Sequence, residues 1–202
     1  QVSIMPGTLN GIFDNTATSG LHVIAKGAGV ARTLMIPLGI RAAPAMGDPT
    51  FACIAQQKTY KSDPASGEAL AVSIEFGEYD VSQLINYQRA WGDLLHAKGA
   101  ETGANSSNSN VDGLAATTAG GYFVYQLFSS NGTVTLSVDD SANGTVWLAL
   151  SGATSGSIDA TTTPVAGIVA LGVTATVRRY LRWQLAFGLG TTATFACAFV
   201  RG

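Results

Sequence analysis

"VRRYLRWQLAFG", Val177–Gly188, carries three arginines and three aromatic residues in twelve positions. Three readings compete for such interleaving: a nucleic-acid platform, a sugar-binding face, or an ordinary strand with one wet side. Parity separates them. Val177, Arg179, Leu181, Trp183, Leu185 and Phe187 hold the odd positions; Arg178, Tyr180, Arg182, Gln184 and Ala186 hold the even ones. Successive side chains of a strand point to opposite faces, so this segregation sets a core face against an outer, polar one. Arg179 is the exception, near the start. Nucleic-acid platforms need aromatics exposed beside the basic groups. Here Trp183 and Phe187 travel with the core set, and only Tyr180 shares the arginine face. The stretch reads first as a strand.

The neighbouring text has the same period. "GYFVYQLF" (121–128), "TVTLSVDD" (133–140) and "TVWLALS" (145–151) read as strands joined at Asn131-Gly132 and Asn143-Gly144, pairs that supply the positive φ of tight turns. "TTATFACAFVR" is expected to close a last hairpin with the opening stretch, around Gly188–Gly190. Further back, "FACIAQQKTY" (51–60) and "ALAVSIEF" (69–76) are strands. In the second, Leu70, Val72, Ile74 and Phe76 share one face, and Ala69, Ala71, Ser73 and Glu75 the other.

Three segments break the pattern. Residues 1–20 read as an irregular arm, and "RAAPAMGDP" (41–49) as a loop with two prolines. Residues 98–121, rich in Gly, Ser and Asn, read as a flexible loop. Between them one helix is expected from Asp80 to about His96. Asp80 with Gln83 has the form of a capping box, and Leu84, Tyr87, Trp91, Leu94 and Leu95 fall at helical spacing. Gly92 weakens its last turn. The whole reads as one mainly β domain over residues 1–202, a β-sandwich or barrel with one packed α-helix and long loops.

Composition narrows the function classes. Only 12% of the residues are charged, against roughly 25% in ordinary soluble domains, while 47% are hydrophobic. Such a surface suits either a plain uncharged β domain or one covered by other subunits. The net charge of −2 gives no global attraction to nucleic acid or anionic lipid. The longest apolar run, near 166–173, is too short to span a bilayer as a helix. Charge is unevenly spread: eight acids face two bases between Asp63 and Asp112. Gln1 is an unusual first residue, and residues ahead of it are expected to have been removed or to lie outside the numbering.

No catalytic constellation emerges, so neither enzyme activity, nor a metal, nor a cofactor is expected. His22 and His96 stand apart from carboxylates at ligand spacing and read as hydrogen-bonded or solvated groups. Asp139-Asp140 beside "SANG" offers a Ca²⁺ loop as one reading and a solvated turn as the stronger one, because adjacent acids on a strand diverge. Cys53 and Cys197, both in strand-like surroundings, read as buried free thiols.

Residues 91–202 carry a resemblance. The run Asp140 to Gly144 followed by Trp147, the strand Arg178 to Arg182, and the closing Phe195, Phe199 and Arg201 are similar to features of the tail tube (major tail) proteins of long-tailed bacteriophages. The resemblance covers a little over half of the chain and consists of β-sandwich residues, with no catalytic signature. It implies a virion protein, assembled in the host cytoplasm, whose homohexameric rings stack into a tube. Strands of all subunits would complete an inner β-barrel through which the genome is ejected. DNA would transit without specific binding, and tape measure and terminator proteins would be further partners. No membrane anchor is implied. Glu75 and Glu78 become candidate lumen-facing acids that repel phosphates. Arg178, Arg182 and Tyr180 become candidate interface residues, and loops 41–50 and 98–121 candidate contacts between rings. Two alternatives stay open: a carbohydrate-binding β-sandwich for host adsorption, stacking sugars on Trp147, Tyr180 or Trp183, and a capsid decoration or head–tail connector protein.

Overall fold

Pairing of extended segments accounts for nearly all of the regular structure. A computed structural model of the chain describes residues 7–12, 26, 31–39, 42–63, 71–78, 91–107 and 109–202. In chain order the strands are β1 (Gly7–Ile12), β2 (Ala31–Pro37), β3 (Pro49–Asp63), β4 (Ala71–Glu78), β5 (Trp91–Thr102), β6 (Asn105–Ser106) and β7 (Val111–Asp112). They continue with β8 (Gly121–Ser130), β9 (Thr133–Ser141), β10 (Leu148–Asp159), β11 (Val165–Ala170), β12 (Tyr180–Phe187) and β13 (Thr192–Arg201). The fold is mainly β, and no helix occurs among the described residues.

The chain divides into two compact units, one of Gln1–Leu34 with Cys53–Tyr87, the other of Met35–Ala52 with Gln88–Gly202. In the smaller unit β4 is central. It pairs antiparallel with β1, from Gly7 opposite Phe76 to Ile12 opposite Ala71, and with β3, from Ala55 opposite Glu78 to Asp63 opposite Ala71. Val72 and Ile74 are buried and Ala71 is exposed, as alternation requires. The strand at Gly7–Ile12 departs from the irregular arm expected over 1–20. Its Gly, Asn and Thr carry no pattern of their own, and main-chain pairing to β4 supplies what the side chains do not signal.

The larger unit packs two sheets face to face. One has the order β5–β13–β8–β11, extended at β5 by Pro49–Phe51 of β3. The other has the order β10–β9–β12, with β6 and β7 each pairing to part of the outer side of β12. Their inner faces meet in one core that includes Phe123, Leu127, Phe195 and Phe199 from the first sheet and Leu136, Val138, Leu181, Trp183 and Leu185 from the second. Trp183 meets Phe195 edge-on across this space, with ring centroids 5.3 Å apart. Aromatic groups of this size dominate core energetics.

Several expectations need correction. The helix proposed from Asp80 to His96 ends in strand: Trp91–His96 belong to β5, and 80–90 lie outside the described residues. The physical reason is a bulge. In the pairing with β13 the register shifts on either side of the His96–Cys197 pair, leaving Leu95 as an extra residue between Leu94 and His96. Leu94, Leu95 and His96 are therefore all buried, which destroys the alternation that marks a strand and imitates a helical stripe. Gly92 sits against the Phe199 carbonyl of β13, where a Cβ would collide, so it is a close-approach glycine.

Of the segment 98–121, Lys98–Thr102 continue β5, and β6 and β7 lie along β12. The last hairpin is also absent. Strands β12 and β13 lie in different sheets, so Gly188–Thr191 carries the chain from one sheet to the other. The same holds at Asn131-Gly132 between β8 and β9, whereas Asn143-Gly144 does join neighbouring strands.

Both cysteines are free and buried. Burial pushes the Cys53 thiol up to about 11 and raises that of Cys197 further.

Candidate functional site

The outer face of β12 is where the candidate interface residues meet their partners. Leu181, Trp183 and Leu185 are buried in the core, while Tyr180, Arg182 and Gln184 stand half-buried on the other side and Ala186 is exposed. Arg182 pairs in register with Asp139 of β9. Its Nε and Nη2 both donate to Asp139 Oδ2, at 3.1 and 2.9 Å, and Gln184 Nε2 donates to the same oxygen. Three donors thus converge on a carboxylate that is only 4% exposed. A buried charge is tolerable in this way alone, paired and hydrogen-bonded.

Asp140, one residue on, points to the opposite face, where it is equally buried. It accepts from the main-chain N–H of Arg178 at 2.8 Å and from Arg178 Nη1 at 2.9 Å. Neither the Ca²⁺ loop nor the solvated turn describes this pair of acids. The prediction that they diverge is right; what the sequence hides is that each side already holds an arginine. Among the described residues, no group of three or more His, Cys, Asp or Glu is placed to hold a metal ion.

The run Asp140–Gly144 followed by Trp147 has a local explanation. Ser141 Oγ accepts from the main-chain N–H of Gly144, and Asn143 Oδ1 accepts from those of Thr145 and Val146, each at 3.0 Å. Gly144 supplies a φ of +75° and lies against the Tyr180 ring. The turn so formed lays the Trp147 ring 4.6 Å from the Arg182 guanidinium. Trp147 therefore acts as a cover over the Arg182–Asp139 pair. Trp183, only 4% exposed, is part of the core and does not present a stacking face.

Around this centre lie further ion pairs. Arg179 grips Asp112 of β7 through two bonds of 2.6 Å, and its guanidinium holds the Asp112 carboxyl down at about 2. Arg201, from the end of β13, donates to the carbonyls of Arg179 at 2.7 Å and Val177 at 3.4 Å, tying the two sheets together at this end. Its Nε is buried without a partner. Burial lowers the Arg201 pKa and raises that of Asp93, each opposed by the charge of the other. His96 is buried, stacked on Phe195 and bonded to the Phe195 carbonyl at 3.2 Å and to Glu101 at 3.1 Å.

In the smaller unit, Glu75 is half-exposed; it accepts from Thr59 Oγ1 at 2.9 Å and lies 3.9 Å from Lys61 Nζ. Glu78 ends β4 opposite Ala55.

Sequence reasoning found the arginines and missed their acids. The available signal was parity: Asp139 shares the outer face of its strand with Ser137, and Arg182 the outer face of its own. Only the pairing of β9 with β12 brings the two together. Chemically, the array fixes main-chain register and neutralises charge. The acids are already engaged by arginines.

No family model matches the chain, and no curated protein matches it. Among solved structures, a chain in the structure of infectious bursal disease virus Gx strain is similar with a TM-score of 0.28 and 11% identity, over 98% of this chain and 56% of that one. The chain thus spans a little over half the length of that neighbour, and a similarity this low carries no argument about fold or function.

Proposed function

We propose that this chain is a structural virion protein, a tail tube subunit that polymerises as stacked hexameric rings around a conduit for the genome. The observation that carries the reading is the contrast between its engaged charges and one apolar end. In the larger unit, β8 begins, β9 ends, β10 begins, β11 ends and β12 begins at the same end, as the pairings of Tyr180 with Ser141, Leu148 with Asp140 and Ala170 with Tyr122 require. That end exposes Leu114 at 80%, Val173 at 73% and Val146 at 64% from its loops and Leu148 at 52% from the start of β10. The arginines nearby are already paired to Asp112, Asp139 and Asp140.

Leu114 makes the point most sharply. Its φ of 66° lies in the left-handed region, which costs about 1 kcal/mol for such a residue. Asp112 Oδ1 holds it there by accepting from its N–H at 2.8 Å. The strained conformation leaves an apolar side chain 80% exposed. Clustered exposed apolar groups of this kind mark interaction surfaces, and a neighbouring ring is the partner this reading supplies. Glu75 and Glu78 belong to the lumen in the same proposal, and the chain acts without cofactor or catalysis.

Negative-stain images of the purified protein test it. Filaments with a central channel and sixfold rings are expected. Isolated monomers, or closed shells without a channel, would rule out the tube and leave decoration or connector roles.

A further inference from the structure

Edges of sheets recruit other strands unless something blocks them. Proteins blunt exposed edges with charges, proline, bulges or short covering segments. In the larger unit most edges are treated in this way. Along β10 the register against β9 shifts twice, with Gly152 at φ +84° and Gly156 at φ +65°, and Asp159 stands exposed at its end. The outer side of β12 is partly covered by β6 and β7.

Strand β11 has none of these devices. Its sequence, VAGIVA, contains no charge and no proline, and it pairs with β8 without a register shift. Gly167 does not mark a bulge. It stands opposite Tyr125, whose ring fills the place a Cβ would take, so the strand stays regular there. The Leu171 N–H donates to the Gly121 carbonyl at 2.9 Å, which fixes the phase of the ladder. Because antiparallel pairs alternate, Val165, Gly167 and Val169 turn their main-chain groups to β8. Those of Ala166, Ile168 and Ala170 face outward, and no backbone hydrogen bond from them is made among the described residues outside the strand ladder.

The smaller unit has a matching edge in β1. It too is six residues long, GTLNGI, without charge or proline, and among the described residues it pairs only with β4, without a shift.

We infer that β11 of one copy pairs with β1 of the next. The two rows match in length, carry no charge that would repel, and offer main-chain donors and acceptors to each other. Joining different edges of identical chains is a heterologous contact, which closes into a ring or propagates as a filament. The inference rests on the assembly reading above and adds which strands carry it.

Hydrogen exchange at residue resolution on the wild-type protein, dilute and assembled, tests the pairing. Assembly is expected to slow the amides of Ala166, Ile168 and Ala170 at least about tenfold, together with alternate amides of 7–12, while Val165, Gly167 and Val169 are protected in both states. Ala166→Pro removes one outward N–H and spares the bonds to β8, a change that edge strands tolerate. This variant is expected to stay monomeric where wild type assembles, and its normal assembly would overturn the inference. If it does not fold, the wild-type exchange data decide. Particles whose β11 amides exchange at the dilute rate, or are protected without any change at 7–12, would overturn the β11–β1 pairing and leave the tube standing. A wild-type protein that never assembles would overturn both.

Discussion

Asp139 shows how single residues hold this sandwich in register. Its carboxylate takes three donors from β12 while almost wholly buried. Asp139→Ala strands the Arg182 guanidinium, which is only 20% exposed, and should cost on the order of 3 kcal/mol in urea unfolding. Adding Arg182→Ala should cost less than the sum of the single changes, since the orphaned charge is gone. A loss under about 0.5 kcal/mol for Asp139→Ala would mean the pair does not hold the strands. Asp112 is the exposed counterpart. Its pKa is depressed to about 2 in the folded chain, below the value near 4 of a free aspartate. The stability it contributes is therefore present above pH ~4 and lost as pH falls towards ~2. Asp112→Asn should flatten that part of the acid-unfolding profile, by a small amount because the pair is surface-exposed. An unchanged profile would contradict the assignment.

At the scale of elements, legibility tracked how cleanly each strand buries one face. The stretch Tyr180–Phe187 alternates without a fault, so its core and wet faces were readable at once. The strands at 121–130 and 133–141 were legible from their β-branched and aromatic runs between turn residues, although each also buries consecutive side chains, Phe123–Tyr125 and Val138–Ser141. Strand β5 was not, because its bulge buries three consecutive side chains and Gly92 looks like a weak helix residue until the strand beside it is known. Gly92→Ala tests that distinction. A helix would gain from the change, whereas a strand pressed on the Phe199 carbonyl should lose about 2 kcal/mol or more, read by thermal or urea unfolding. Turn residues were found correctly while their connections were not. Asn131-Gly132 forms a tight link, but local sequence does not say whether the next strand stays in the same sheet. The ladder of acids and arginines was half visible for that reason: parity placed each side chain on a face, and topology chose its partner.

For the whole molecule, a chain this poor in charge has used much of what it has internally. Arg178, Arg179 and Arg182 are matched to Asp140, Asp112 and Asp139, and His96 to Glu101. What remains outward includes loops with large apolar side chains and a regular, uncharged edge. No helix among the described residues is long and apolar enough to cross a membrane. Such a surface leads to the expectation that the protein associates with its own kind. The measurement that bears most directly on association is the mass of the purified wild-type chain across a wide concentration range. Species at six times the 20.7 kDa of one chain, and multiples of that mass growing with concentration, are the predicted result. A single 20.7 kDa particle from micromolar to millimolar concentration would contradict the account.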